Sequence, residues 1–284
     1  MSKSVTVITT YYEGKKYLHS LCSMMRRNFD AIRQDDITFE YVIVNDSPWD
    51  EISIPEEFAD IDIKVYNNTS NVGIHQSRIN GVRVSNGEYV LILDQDDAIE
   101  DSYLKNQLAH IGDADIVVCN GYKELKDRNK VIYRDALKFS LVKIPSVYLK
   151  AANQIVSPGQ CLIKKDSIPK EWLDFTMGKN GSDDLFLWLL CFAKNRKFAI
   201  NSQKLYRHNQ VGSNLSNDLK KMTDSDIEMC NIAAKYHLLP DDYIKSRLRM
   251  CDFVKETGYT QKLTISSILK FPDIALAKIF AYLA

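Results

Sequence analysis

Along the first hundred residues, short apolar runs alternate with longer amphipathic stretches. Residues 5–9 are rich in β-branched side chains and predict a strand. Leu18, Leu21, Cys22, Met25, Phe29 and Ile32 then recur at helical spacing, which predicts a helix with one buried face. Strands are predicted at 39–44 and 62–66, and a helix at 74–85. The run from Tyr89 to Leu93 is almost unbroken in its apolarity and suits a strand buried on both faces, as in a parallel sheet. Alternation of this kind predicts an α/β fold with a mostly parallel, Rossmann-like central sheet flanked by helices.

The four strands end in polar residues: Thr10 and Tyr12, Asp46, Asn71, and Asp94 with Asp96. In open α/β sheets ligands bind beyond the carboxyl ends of the strands. Turns and helix caps explain each polar end separately; one ligand site explains them together. The densest cluster is Asp94-Gln95-Asp96-Asp97, three carboxylates in four positions. Like charges so close are unfavourable without a positive partner, and hard oxygen ligands suit Mg²⁺ or Mn²⁺ with a bound phosphate. The plain structural alternative is an acidic turn opening the next helix. Neither GxGxxG nor GxxxxGK[ST] occurs.

The second half is less regular. A helix is predicted at 103–111 and a strand at 115–119. Residues 123–150 hold more bases than acids with weak periodicity; they read as an irregular solvated surface, or else as a contact for an acidic acceptor or lipid headgroup. A strand follows at 158–163. Ser182 is a candidate N-cap for an apolar, buried helix at 185–193. Asp183 and Asp184 at its mouth are ordinary first-turn acids or, if they reach a cleft, candidates for base chemistry. Short strands at 197–200 and 204–206 lead into Arg207 and His208 and a Gly/Ser/Asn-rich loop able to wrap phosphates. Residues 218–284 are predicted mainly helical, with Pro240 and Pro272 each at a helix start. The apolar segment 263–284 is expected to pack on its own domain; self-association and a membrane interface are the alternatives, in that order.

Bulk properties narrow the function. Lys plus Arg and Asp plus Glu both number 37, so no basic field argues for nucleic acid. The six cysteines include no CxxC pair and most sit in apolar surroundings, which suits reduced, buried thiols and a cytoplasmic protein. The N-terminus runs directly into a strand, and no apolar run reaches about 18 residues, so neither a signal peptide nor a membrane span is expected.

In order and spacing, the segments Val7-Ile8-Thr9-Thr10-Tyr11-Tyr12, Val44-Asn45-Asp46-Ser47, Asn71-Val72-Gly73 with Arg78 and Gly81, Leu93-Asp94-Gln95-Asp96-Asp97, Ser182-Asp183-Asp184 and Tyr206-Arg207-His208 with 212–216 resemble the inverting, metal-dependent GT-A glycosyltransferases of family 2. The resemblance covers roughly the first three quarters of the chain. It implies a GT-A domain over 1–216, with a nucleotide-sugar-binding half (1–97) and an acceptor half (98–216), and a helical extension over 217–284. It implies a nucleotide-sugar donor, a UDP-sugar by family frequency, and a glycan or lipid-linked saccharide acceptor. Thr10 and Tyr12 would line the nucleotide site, Tyr12 packing on the base. Asp46, Asn71 and Arg78 would hydrogen-bond the base, and Asp94 would face the ribose or diphosphate. Asp96 would bind Mn²⁺ or Mg²⁺ with His208, Arg207 would lie near the diphosphate, and Asp184 would be the catalytic base. The chain departs from the family pattern where Asn45-Asp46-Ser47-Pro48 replaces Asp-Asp-Gly-Ser, where Ile79 replaces Asn, and where Asp183 replaces Glu.

Three other readings compete. A non-catalytic nucleotide-sugar-binding module would keep the donor residues and lose the base. A sugar nucleotidyltransferase would want a Gly/Lys-rich phosphate loop at the first strand, and none is evident. A haloacid-dehalogenase-type phosphatase would carry its Asp-x-Asp near the N-terminus with a Gly-Thr-like continuation, where Asp97-Ala98-Ile99 stands here. The expected setting is the cytoplasm, with peripheral contact at the inner face of the cell membrane and a homodimer left open.

Overall fold

The computed structural model describes residues 3–126, 128–209 and 217–284. They form two compact units, each assembled from three stretches of chain. One comprises Met1–Tyr133, Val156–Ile168 and Arg196–Gln210; the other comprises Arg134–Ile155, Pro169–Asn195 and Val211–Ala284. The sequence reading instead divides the chain in linear order at 97 and 216.

The first unit is built on one sheet. β1 (Lys3–Tyr11) leads into α1 (Lys15–Ile32), β2 (Ile37–Asn45), β3 (Ile63–Asn67), α2 (Ile74–Val84) and β4 (Tyr89–Asp94). Beyond them come β5 (Ala98–Ile99), α3 (Tyr103–His110), β6 (Ile116–Leu125), β7 (Arg128–Val131), β8 (Cys161–Lys164) and β9 (Phe198–Asn209). The sheet order is β3-β2-β1-β4-β8-β6-β9-β5, with β7 beside β6. β1, β2, β3 and β4 are mutually parallel, and β6 runs parallel to β9. β8 is antiparallel to both neighbours.

The apolar runs account for this arrangement. Tyr89 to Leu93 are all buried, as expected for a strand covered on both faces. α1 turns Leu21, Cys22, Met25 and Ile32 inward against Val5, Val7 and Tyr41 in one continuous core. α2 crosses β1 so closely that a Cβ at Gly81 would sit 2.3 Å from Ile8 Cγ2, so only glycine fits there. All six cysteines are buried free thiols. Burial pushes the Cys22 thiol up to about 11, which makes it inert rather than reactive.

The parallel register puts Tyr11 beside Asn45, Thr10 beside Asp94, and Asn45 beside Asn67. The polar strand ends therefore converge on one edge of the sheet. Two expectations about regularity change. Within 123–150 the described residues form regular elements: β6 continues to Leu125, β7 pairs back on it, and α-helices follow at 136–140 and 145–150. The two short strands near 200 are one strand, β9, because irregularities in the register between Cys119 and Gly121 let β6 follow it throughout.

The second unit is helical: α4 (Ala136–Ser140), α5 (Pro145–Lys150), α6 (Lys170–Asp174), α7 (Asp183–Ala193), α8 (Leu219–Lys235), α9 (Asp241–Glu256), α10 (Ile265–Lys270) and α11 (Pro272–Leu283). Residues 185–191 of α7 are all buried, matching its apolar circumference. Pro272 opens α11 at a first-turn position, whereas Pro240 sits one residue ahead of α9 as its N-cap. Among the described residues no helix is long and apolar enough to cross a membrane.

Candidate active site

The site of the first unit lies at the carboxyl ends of β1, β2 and β4. Asp46, buried, accepts hydrogen bonds from Asn68 Nδ2 and Val72 N at 2.8 Å each and from Gly73 N at 3.0 Å. It thereby clamps the loop after β3 to the end of β2. Gly73 adopts φ 85°, a left-handed conformation that lets consecutive amides face one carboxylate. Asn71 lies exposed on that clamped loop. Asn45 Nδ2 donates to Asn67 Oδ1 at 3.0 Å and its Oδ1 accepts from Ser47 N, so the Asn-Asp-Ser-Pro turn is held from within.

Tyr12 is 46% exposed and meets Trp49 edge-on, their ring centroids 6.2 Å apart. Two exposed aromatics at the mouth of a strand-end site form a surface on which a flat base can stack. Gln95 holds Tyr12 in place: its Oε1 accepts from Tyr12 N at 3.0 Å and its Nε2 donates to Tyr12 O at 2.9 Å. Neither Trp49 nor Gln95 was signalled by the sequence, since a lone Trp in a polar turn and a Gln between two Asp carry no periodicity.

Arg78 is buried, and its guanidinium pairs with Asp94 Oδ1. Ser157 Oγ donates to Asp94 Oδ2 at 3.0 Å. Thr10 is the in-register neighbour of Asp94. Arg78, Asp94 and Thr10 are thus brought together, with Ser157 as an unanticipated fourth member.

Asp96 and Asp97 diverge from there. Asp97 is buried and accepts from Tyr206 Oη, from Asn209 N at 3.0 Å and from His208 Nδ1 at 3.1 Å. Burial raises its carboxyl, and the His208 hydrogen bond works against that rise. Burial alone would lower the His208 imidazole, but Asp97 outweighs it and the net shift is upward. Asp96 is half-buried; burial, then the Asp97 and Asp94 charges, push its carboxyl up to about 6. The nearby His208 works against that rise, and Asp94 is itself paired with Arg78.

Asp96 and His208 are the side chains here that could hold a divalent cation. Asp96 would supply a hard oxygen donor, and His208, its Nδ1 engaged with Asp97, would have Nε2 left for coordination. Among the described residues no three His, Cys, Asp or Glu side chains gather as a complete metal cage. A cation held by Asp96 and His208 alone would need the rest of its shell from a phosphorylated ligand and water.

Arg207 does not join this cluster. Side chains alternate along a strand. Tyr206 and His208 reach Asp97, while Arg207 is held by Glu100 at 2.8 Å and Glu124 at 3.1 Å and lies over the Tyr122 ring. The cation that does face His208 is Lys123, its register partner on β6. Burial and then Lys130 lower the Lys123 ammonium, so an anion nearby would stabilise its charged form. Lys123 was hidden from sequence reasoning because only strand pairing brings it beside His208.

In the second unit Asp183 is buried, and its carbonyl accepts the Trp172 indole N–H at 2.8 Å. Asp184 is half-buried; Asn153 Nδ2 donates to its Oδ2 at 2.9 Å, and Leu185 N donates to its Oδ1 at 2.6 Å. Ser182 occupies the N-cap position but does not cap: its hydroxyl donates to Asp226 Oδ1 at 2.6 Å, and Asp226 pairs with Arg247. The α7 N-terminus is thus anchored on a buried ion pair. The loop 212–216 lies outside the described residues.

The fold of this sheet and its flanking helices has counterparts among solved structures. The fold is that of GT-A glycosyltransferases. Staphylococcus aureus TarS (residues 1–349), solved with UDP-GlcNAc, superposes with a TM-score of 0.63 at 17% identity, over 96% of this chain and 79% of that one. The mannosyltransferase PcManGT of Pyrobaculum calidifontis, in complex with GDP-Man and Mn²⁺, gives 0.57 at 13% identity, over 100% and 87%. The family described as glycosyl transferase family 2 matches residues 6–171, and the chain belongs to that family. EpsH of Bacillus subtilis (strain 168) is 30% identical over 152 residues, which are 52% of this chain but only 42% of EpsH.

Proposed function

We propose that the protein is an inverting glycosyltransferase that moves a sugar from a nucleoside-diphosphate donor to a hydroxyl of a glycan or lipid-linked saccharide. The observation that carries this reading is the acidic cluster at the strand ends, where Arg78 and Ser157 hold Asp94 and Asp97 orients His208. Asp96 and His208 would hold a divalent cation, Mn²⁺ or Mg²⁺, which when bound would supply Lewis-acid stabilisation of charge on the leaving diphosphate.

The chain's own groups do the rest. Tyr12 with Trp49 stacks the base, and the Asp46-clamped loop presents Asn71 to its edge. Asp94, fixed by Arg78 and Ser157, accepts from the ribose or donor sugar. Lys123 neutralises a diphosphate oxygen. Arg207 contributes through β9, holding the strand that carries His208 rather than touching the donor. Asp184 removes the acceptor hydroxyl proton as the new bond forms, and a single displacement inverts the anomeric carbon. Its half-exposure and its Asn153 hydrogen bond favour it over the buried Asp183 as base.

Uridine is the preferred base because TarS was solved with UDP-GlcNAc; PcManGT, with GDP-Man, makes guanosine the second choice. The test is calorimetric titration of a UDP-sugar and GDP-sugar panel with and without Mn²⁺, followed by donor hydrolysis and transfer assays. Wild type should bind a donor in a Mn²⁺-dependent manner and turn it over, and Asp96→Ala should lose both. Full turnover in excess chelator would sink the metal-assisted reading, and binding without any turnover would favour a non-catalytic binding module.

A further inference from the structure

The second unit carries an apolar surface that the donor chemistry leaves unexplained. Of the fourteen large apolar side chains exposed among the described residues, eight lie between Ile265 and Leu283. α11 is amphipathic in an unusual sense. Its inward face is mostly small: Ala275, Ala281 and Ala284 are buried, and only Ile274 is large. Its outward face is large: Leu276, Phe280, Tyr282 and Leu283 are 68%, 49%, 80% and 68% exposed. α10 adds Ile265 and Leu269, at 81% and 78%. No exposed position of α11 is charged. Core packing does not account for this distribution, since burial favours the large side chains over alanine.

Charge identifies what covers the surface. α5 and the turn before it pack on α11 through Leu141, Val147, Ala151 and Ala281, Lys138 ties α4 to α11, and Leu263, Phe271 and Ile274 join the start of this segment to α9, so residues 134–150 and 262–284 belong to the same helical unit. These two segments hold seven basic and two acidic side chains, a net charge of +5 in a chain whose total is zero. Arg134 and Lys138 donate to the Leu283 and Ala281 carbonyls, which brings their charge to the C-terminal end of α11. Lys143 and Lys262 are exposed, and Lys270 is exposed while paired with Glu256. Leu137 on α4, 58% exposed, lies next to Lys138.

We propose that the outward face of α10 and α11, with Arg134, Lys138, Lys143 and Lys262 around it, is a docking surface for an anionic lipid bilayer. Large apolar side chains enter the headgroup–acyl boundary, and the lysines and arginine meet lipid phosphates. Neither helix spans the bilayer, so attachment is peripheral and reversible. The inference stands independently of the donor and the metal.

The experiment is vesicle co-sedimentation of the full chain with phosphatidylcholine alone and with phosphatidylcholine–phosphatidylglycerol mixtures across a salt series. The wild type should sediment with the anionic vesicles, release as salt rises, and ignore the neutral ones. Lys143→Gln with Lys262→Gln should weaken binding ~25-fold, about fivefold for each lysine withdrawn. Leu269→Glu with Tyr282→Glu, both at solvent-exposed positions, should abolish it while circular dichroism and donor binding stay unchanged. Absence of vesicle binding by the wild type overturns the proposal. So does equal binding to neutral and anionic vesicles. A concentration-dependent dimer that does not bind vesicles and is dissolved by Leu269→Glu with Tyr282→Glu also overturns it and assigns the face to a second copy of this chain.

Discussion

Single residues decide the proposed chemistry through their hydrogen-bond partners. Asp183 and Asp184 are neighbours in sequence, yet one is buried and the other reaches a half-open position beside Asn153. Asp184→Asn should therefore keep donor affinity and lower turnover by ~10²–10⁴-fold, because only proton removal is lost. Single-turnover kinetics beside donor titration separates the two quantities; a crippled Asp183→Asn with an active Asp184→Asn would reverse the assignment. Lys123 and Arg207 make a second contrast. Lys123→Ala should weaken donor binding ~10–100-fold, the worth of one hydrogen bond to a charged group. Arg207→Ala should leave affinity nearly intact and lower the melting temperature, since its partners are Glu100 and Glu124. The opposite ranking would place the diphosphate on the other face of β9.

Elements are held in register by a few buried polar groups. Glu40 on β2 accepts from Thr6 Oγ1 on β1 at 2.6 Å, from Lys64 Nζ on β3 at 2.6 Å, and from Asn86 N and Nδ2 after α2 at 2.8 and 2.7 Å. Burial alone would raise this carboxyl, but Lys64, Thr6 and Asn86 outweigh it and hold it at about 2 against an ordinary 4.5. A depressed folded value means that the stabilisation is complete above pH 4.5 and is lost as pH falls towards 2. Glu40→Gln should cost about 1.5–3 kcal/mol at neutral pH. Its gap from wild type in urea unfolding should narrow steadily as pH drops from 4.5; a gap constant across that range would contradict the ionised, multiply bonded carboxylate.

At the scale of the whole molecule, the C-terminal helices are part of the folded second unit as well as a surface. Phe271 packs on Phe253 with ring centroids 5.7 Å apart, and Ile274 joins the same cluster. Asp273 pairs with Arg249 at 3.0 Å. Deleting residues 272–284 should uncover these clusters and lower both solubility and the unfolding midpoint, measurable by scanning calorimetry. A truncated chain as stable as the full one would show that α11 contributes nothing to the unit's core. This coupling is why point changes on the outward face, rather than truncation, isolate bilayer attachment.

The sequence by itself determined the alternation of buried strands and amphipathic helices, because burial on both faces leaves apolar runs such as 89–93, and one-sided burial leaves the spacing seen in α1. It also determined that polar residues collect at the strand ends, since strand direction is common to a parallel sheet. Periodicity did not reach pairings between distant segments. Only the tertiary structure set Lys123 beside His208, Gln95 against the Tyr12 backbone, Ser157 on Asp94, and Asp226 under Ser182. Each of these depends on which strand or loop lies next to which, and a contact across dozens of residues leaves no local pattern. The same limit explains α11: its composition shows that it is apolar, but which face is covered follows from where α5 and α9 lie. Ala275 and Ala281 are covered while Leu276, Tyr282 and Leu283 are not, a property of the packed unit and not of the segment.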